Sequence, residues 1–140
     1  MPIISRGQLS LRPAKLTLER LQHRARLVRE PKTTLAERYL DEGLAMDEFP
    51  GIHFVDGPMG RRPALIGTGL DVWEIVKAVH DGGSAEEGAA YLEVDLRTVN
   101  TALTYYGSNR EEVDDWIARV HAISEVEEAK WRASREAAGV

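Results

Sequence analysis

A chain of 140 residues with 43% hydrophobic and 29% charged side chains has the make-up of one globular domain or two small modules. It holds no cysteine, which excludes a disulfide framework, a thiolate zinc site and a cysteine-ligated iron–sulfur cluster. No apolar run reaches the roughly 18 residues of a membrane span, and residues 1–6 carry no secretory apolar stretch. The expectation is a soluble cytoplasmic protein. Its net charge of −5 divides unevenly. Residues 1–46 hold nine Lys/Arg against five Asp/Glu, a balance of +4, and residues 47–140 hold nine against eighteen, a balance of −9. A basic end suits a polyanion, and the acidic end a different partner.

Gln8-Leu9-Ser10-Leu11-Arg12 alternates polar and apolar residues up to Pro13, which predicts a short strand with Leu9 and Leu11 on its buried face. From Thr17 the period changes. Leu18, Leu21, Ala25 and Val28 form one stripe of an amphipathic helix that Pro31 stops. Thr33 or Thr34 is expected to cap the next helix, since Thr34-x-x-Glu37 has the form of a capping box. That helix should bury Leu35, Tyr39, Leu40 and Leu44 and run to about Met46. Asp47-Glu48-Phe49-Pro50-Gly51 reads as a linker, and the charge changes sign there.

Residues 52–56 and 63–66 predict two short strands joined by the turn Gly57-Pro58-Met59-Gly60. Gly67-Thr68-Gly69 leads into a helix with Val72, Ile75, Val76 and Val79 on one side, ended by Asp81-Gly82-Gly83. Ser84-x-x-Glu87 opens a short helix carrying Ala85, Ala89 and Leu92. Asp95 caps a further helix with Val99, Leu103 and Tyr106, which Gly107 closes. Ser108-x-x-Glu111 caps the last helix, along which Val113, Trp116, Ile117, Val120, Ile123 and Trp131 follow one another. Trp73, Tyr91, Tyr105, Tyr106 and Trp116 share their spacing with Val, Ile and Leu and are expected in the core.

A lone strand and two helices cannot bury a strand edge or two helix faces by themselves. The first module is therefore expected to pair with a second copy through an antiparallel two-stranded ribbon. This stretch resembles the ribbon-helix-helix repressors of the MetJ/Arc class, in Gln8-Leu9-Ser10-Leu11-Arg12, in the Leu18/Leu21/Ala25 stripe and in the helix start at Thr33-Thr34-Leu35. The resemblance implies a ribbon in the major groove, with Gln8, Ser10 and Arg12 reading bases. It also implies a phosphate on the free amides around Lys32, Thr33 and Thr34. The residue types suit the work, since Arg pairs with guanine, Gln with adenine and Ser with either. Pro13-Ala14-Lys15-Leu16 departs from the pattern as an insertion between strand and helix.

Residues 50–118 resemble the domain-of-unknown-function family 433 in motif order. The likeness is carried by Gly51-Ile52, Gly67-Thr68-Gly69-Leu70-Asp71-Val72-Trp73, Gly82-Gly83-Ser84-Ala85-Glu86-Glu87 and Ala102-Leu103-Thr104-Tyr105-Tyr106, with the helix over 109–116. That resemblance implies a β-hairpin joined to a helix-turn-helix bundle, and a type II antitoxin paired with a PIN-like nuclease toxin. The helix-turn-helix would span 84–106, with Arg97, Thr98, Asn100 and Thr101 as a possible second DNA-reading set. A charge of −9 opposes phosphate contact there and favours a partner-binding role. The likeness ends near Ala118. Beyond it, Trp131, Arg132 and Arg135 are the candidate toxin contacts, a tryptophan to fill a groove and arginines to pair nuclease carboxylates.

Enzyme signals are weak. His53 with Asp56, and His80 with Asp81, lack a third ligand at a recognised spacing, and Gly67-Thr68-Gly69 lacks the lysine of a phosphate loop. No catalytic residue, metal or cofactor is expected. The chain thus reads as mainly α, with a ribbon-helix-helix module over 1–46 and a β-hairpin plus helix-turn-helix bundle with a long C-terminal helix over 47–140. The expected function is an antitoxin that neutralises a PIN-like ribonuclease and represses its own operon by binding operator DNA. It would act as a homodimer or higher even oligomer, away from membranes. A stand-alone dimeric transcriptional regulator with no toxin is the alternative.

Overall fold

The computed structural model describes residues 5–140. It is mainly helical, with one small two-stranded antiparallel sheet, and divides into two units, Met1–Gly43 and Leu44–Val140. No helix among the described residues is long and apolar enough to cross a membrane.

Unit 1 is built on helix α1 (Lys15–Val28) and the first part of α2 (Lys32–Glu48). The expected strand at 8–12 is not formed in the single chain. Residues 5–14 belong to no helix or strand, and Leu9 and Leu11 are 67% and 63% exposed. The reason is that a strand satisfies its backbone only against another strand. Helix α1 starts two residues earlier than the apolar stripe indicates, so Lys15 and Leu16 of the apparent insertion form its first turn. It ends before Pro31, at Arg29, which takes the left-handed conformation (φ 57°, ψ 43°). The Arg29 amide donates to the Arg26 carbonyl at 3.3 Å and the Glu30 amide to the Ala25 carbonyl at 3.0 Å, satisfying carbonyls the helix end leaves open.

The Pro31 carbonyl accepts the Leu35 amide at 3.1 Å, so α2 begins at Lys32. Thr33 and Thr34 therefore lie inside the first turn and cap nothing, a correction to the capping-box expectation. Proline supplies a helical φ and has no amide to satisfy, so it opens a helix without a side-chain cap. Along α2 only Leu35 and Glu42 are buried; Tyr39, Leu40 and Leu44, expected inside, are exposed. Arg38 Nη1 donates to both Glu30 carboxylate oxygens at 3.1 and 3.2 Å, and its Nε lies 3.9 Å from Glu42. Asp47 and Glu48 extend α2 rather than a linker, and the turn comes at residues 49–51.

In unit 2, β1 (Ile52–Val55) pairs antiparallel with β2 (Arg62–Leu65), Ile52 facing Leu65 and Val55 facing Arg62. Four helices follow: α3 (Val72–Gly82), α4 (Ala85–Leu92), α5 (Leu96–Ser108) and α6 (Arg110–Ala138). Ile52, Leu65, Val72, Ile75, Val76, Ala89, Val99, Ala102, Tyr105 and Val113 form one core that draws on every element of the unit. Helices α3 and α4 approach so closely at Gly88 that a Cβ there would lie 2.8 Å from a Val79 methyl and 3.2 Å from its backbone. The hydrogen of glycine is what that contact requires.

Asp71 fastens the sheet to α3. Its Oδ2 accepts from Arg62 Nε at 2.5 Å and from Trp73 Nε1 at 2.9 Å, and a capping box with Glu74 closes the start of the helix. Ser84 accepts the Glu87 amide at 3.1 Å, as its position implies. Gly107 does not close α5. It stays helical within Leu96–Ser108, and Asn109, not Ser108, stands at the junction, its side-chain amide donating to the Tyr105 carbonyl at 3.0 Å.

Candidate nucleic-acid interface

In unit 1 the predicted base readers Gln8, Ser10 and Arg12 are all exposed, on the segment that also exposes Leu9 and Leu11. Beside this segment an open groove of about 920 Å³ is lined by Leu11, Leu21, Leu27, Tyr39 and Leu40, with Arg20 and Arg24 also along it. Leu27 is 61% exposed, Tyr39 44% and Leu40 43%. Contiguous apolar surface of this kind on a small helical unit is what an interaction face looks like. Among the described residues of this unit only Ala25 and Leu35 are buried hydrophobics, which is very little core for two helices.

Lys32, Thr33 and Thr34 are exposed together in the first turn of α2. Their amides precede the first intrahelical hydrogen bond of that helix, so they point out of its N-terminal end with the positive end of the helix dipole. No acid occupies that turn. Together with the +4 balance of this half of the sequence, the geometry suits an anionic oxygen such as that of a phosphate.

The second candidate set is divided by the fold. Arg97 and Asn100 are exposed on α5, whereas Thr98 and Thr101 are half-buried. The Thr101 hydroxyl donates to the Arg97 carbonyl at 3.0 Å, and its methyl packs toward Gly51, 3.2 Å from where a Cβ would stand. Gly51 has φ +100°, which itself favours glycine. The outward stripe of α5 is therefore Arg97, Asn100 and Thr104. Helical spacing from Arg97 reaches Thr104 through either Asn100 or Thr101, and the half-burial of Thr101 is what leaves Asn100 and Thr104 on the outward face. Glu93 and Asp95 precede this stripe in the chain and oppose phosphate there.

Most of the aromatic group is core or half-buried, with one exception. Tyr91 is 81% exposed on α4. Tyr105 is buried, and its hydroxyl donates to the Glu112 carboxylate at 3.1 Å. Burial, reinforced by that negative charge and hydrogen bond, pushes the Tyr105 phenol far above its usual range. Burial of the carboxylate raises Glu112 as well, more than the Tyr105 hydrogen bond lowers it. Tyr106 is raised chiefly by donating to Asp114 at 2.7 Å.

Trp131, Arg132 and Arg135 lie on the exposed last part of α6. The Arg135 guanidinium stands 5.3 Å from the Trp131 ring centroid, and Arg132 pairs with Glu128 at 2.5 Å. His53, Asp56, His80 and Asp81 join no larger set; among the described residues no three or more His, Cys, Asp or Glu side chains are grouped to hold a metal ion. No protein-family model, curated protein or solved structure matches this chain.

Proposed function

We propose that this chain is a dimeric DNA-binding antitoxin whose basic N-terminal unit is completed by a second copy. The observation that carries the reading is the apolar groove of unit 1, open beside a segment that alternates Leu9 and Leu11 with Gln8, Ser10 and Arg12. Pairing residues 8–12 with the same residues of a second chain would turn both leucines inward and leave Gln8, Ser10 and Arg12 outward on a two-stranded ribbon. Such a ribbon fits the major groove, and a two-fold dimer presents each reader twice. The amides at Lys32, Thr33 and Thr34 would then hold a backbone phosphate on either side.

Unit 2 supplies the antitoxin part of the proposal. Its acidic balance suits a protein partner better than DNA, and the motif order of residues 50–118 resembles that of the domain-of-unknown-function family 433, a resemblance that implies an antitoxin paired with a PIN-like ribonuclease. Helix-turn-helix geometry over α4 and α5 would serve as the scaffold, with Trp131, Arg132 and Arg135 as contacts to the nuclease. A dimeric regulator without a toxin is the second reading, favoured by the engagement of Arg132 with Glu128 and of Arg135 with Trp131.

Binding of the full chain to the DNA upstream of its own reading frame, measured by fluorescence anisotropy at fixed salt, tests the DNA part. Arg12→Ala is expected to lose about 1–3 kcal/mol per site and to relax preference at two symmetric base pairs, with thermal stability unchanged. Lys32→Ala is expected to weaken all sequences alike and to lower the salt slope by about 0.9 per contact released. Unchanged affinity in Arg12→Ala contradicts the ribbon. Co-expression with the neighbouring nuclease separates antitoxin from plain regulator: the antitoxin restores growth, the regulator does not.

A further inference from the structure

Helix α6 leaves the body of unit 2 near Val120. Val113 is buried, Trp116, Ile117 and Val120 are half-buried, and every residue over 121–140 is exposed. At 1.5 Å per residue the exposed part of the helix extends for about 27 Å. It is not uniformly polar: Ile123 is 47% exposed and Trp131 59%, both within about 60° of the phase of Val120, while Val126, 53% exposed, stands at the edge of that face.

The sequence of this face is complementary to its own reverse. Folded back about the midpoint between Glu128 and Ala129, it sets Glu127 opposite Lys130, Ile123 opposite Ser134 and Val120 opposite Ala137. A parallel alignment instead sets Glu127 against Glu127 and Lys130 against Lys130, so charge selects the antiparallel orientation. Within one helix Lys130 and Glu127 are 3.5 Å apart and both about two-thirds exposed, a loose pair that can re-form across an interface. The tighter Arg132–Glu128 pair lies away from this face, at positions one residue removed from Trp131 and Glu127. We propose that the exposed part of α6 is a self-association surface, and that two copies of the chain pair there as an antiparallel helix pair with Ile123 of each beside Ser134 of the other, Glu127 of each paired with Lys130 of the other, and Trp131 along the flank of the seam. A nuclease contact through Trp131 would then compete with this pairing.

Disulfide trapping on the full chain tests it, because the protein has no cysteine of its own. Chains carrying Ile123→Cys are mixed with tagged chains carrying Ser134→Cys and oxidised, with circular dichroism as the check on folding. The expected result is a crossed disulfide at least tenfold above that of either variant alone. Two copies of position 123 would lie about 16 Å apart along an antiparallel pair, too far to bridge. Adding Glu127→Lys to both chains is expected to cut the crossed product about tenfold, and Glu127→Lys with Lys130→Glu to restore it. Like-with-like disulfides as the main product mean a parallel pair and overturn the proposal. So does a crossed yield no higher than that of a Tyr91→Cys and Ser134→Cys control. Neither failure touches the N-terminal dimer, since no substitution falls in unit 1 and no DNA is present.

Discussion

The corner between α1 and α2 and the corner between α4 and α5 are built alike. Arg29 (φ 57°, ψ 43°) and Glu93 (φ 56°, ψ 45°) each end a helix in the left-handed conformation. At both corners the next amide donates back to a buried alanine, Glu30 to Ala25 at 3.0 Å and Val94 to Ala89 at 3.1 Å. Ten residues after each alanine, the second helix buries an aliphatic side chain, Leu35 in one and Val99 in the other. What surrounds the two corners differs. Around α4 and α5, helix α3, the sheet and α6 complete a ten-residue core. Among the described residues unit 1 has no counterpart to α3, and Leu27, Tyr39 and Leu40 are exposed. The same local code thus gives a finished domain where a third layer exists and an open face where it does not.

The largest expected difference between the units comes from cutting the fastening of the finished one. Asp71→Ala removes the acceptor of Arg62 and Trp73 and the cap of α3 together. A loss of about 3 kcal/mol in the urea unfolding of unit 2 is expected, with DNA affinity retained by the folded protein. A loss of DNA affinity that parallels the loss of stability would mean that unit 2 is the reader.

The two corners themselves give a smaller test. A left-handed non-glycine residue costs roughly 1 kcal/mol, so Arg29→Gly and Glu93→Gly should each stabilise their own unit by up to about that amount. Residue-resolved hydrogen exchange distinguishes them. Equal protection gained in both units by either variant would show that the corners do not act locally.

The smallest effect is a pH dependence confined to unit 2. Burial raises Glu112 above its ordinary value, so the folded state holds that proton more firmly than the unfolded chain does. The resulting stabilisation is full below the ordinary carboxylate range and is lost as pH rises through the raised folded value. Glu112→Gln should flatten this decline and leave unit 2 at least as stable at neutral pH. A steeper decline in the variant would contradict the assignment.

The sequence was most readable where apolar spacing and burial coincide. The stripe Val72, Ile75, Val76 follows from period, and the strands expected at 52–56 and 63–66 around their turn form at Ile52–Val55 and Arg62–Leu65, because unit 2 buries its own apolar faces. Reading failed where a polar residue does something that period cannot show. Asp71-x-x-Glu74 is a capping box as plain as Ser84-x-x-Glu87, but the run Gly69-Leu70-Asp71-Val72 masks it as a loop. Gly107 and Thr34 have the form of helix punctuation, but one stays helical and the other follows Pro31, which already opens the helix. In unit 1 the pattern points to buried Leu9, Leu11, Tyr39 and Leu40, and all four are exposed. At the candidate interface, Gln8, Ser10 and Arg12 were legible by alternation, while Thr104 was hidden because only the fold shows that Thr101 turns inward.

The open face of unit 1 can be tested directly by amide hydrogen exchange of residues 8–12 in the full chain, followed over a range of protein concentrations. If a second copy completes the unit through a ribbon, alternate amides in this segment become protected as concentration rises, and Leu40→Asp abolishes the protection without unfolding unit 2. Exchange at the unprotected rate at every concentration, with DNA binding intact, would contradict it.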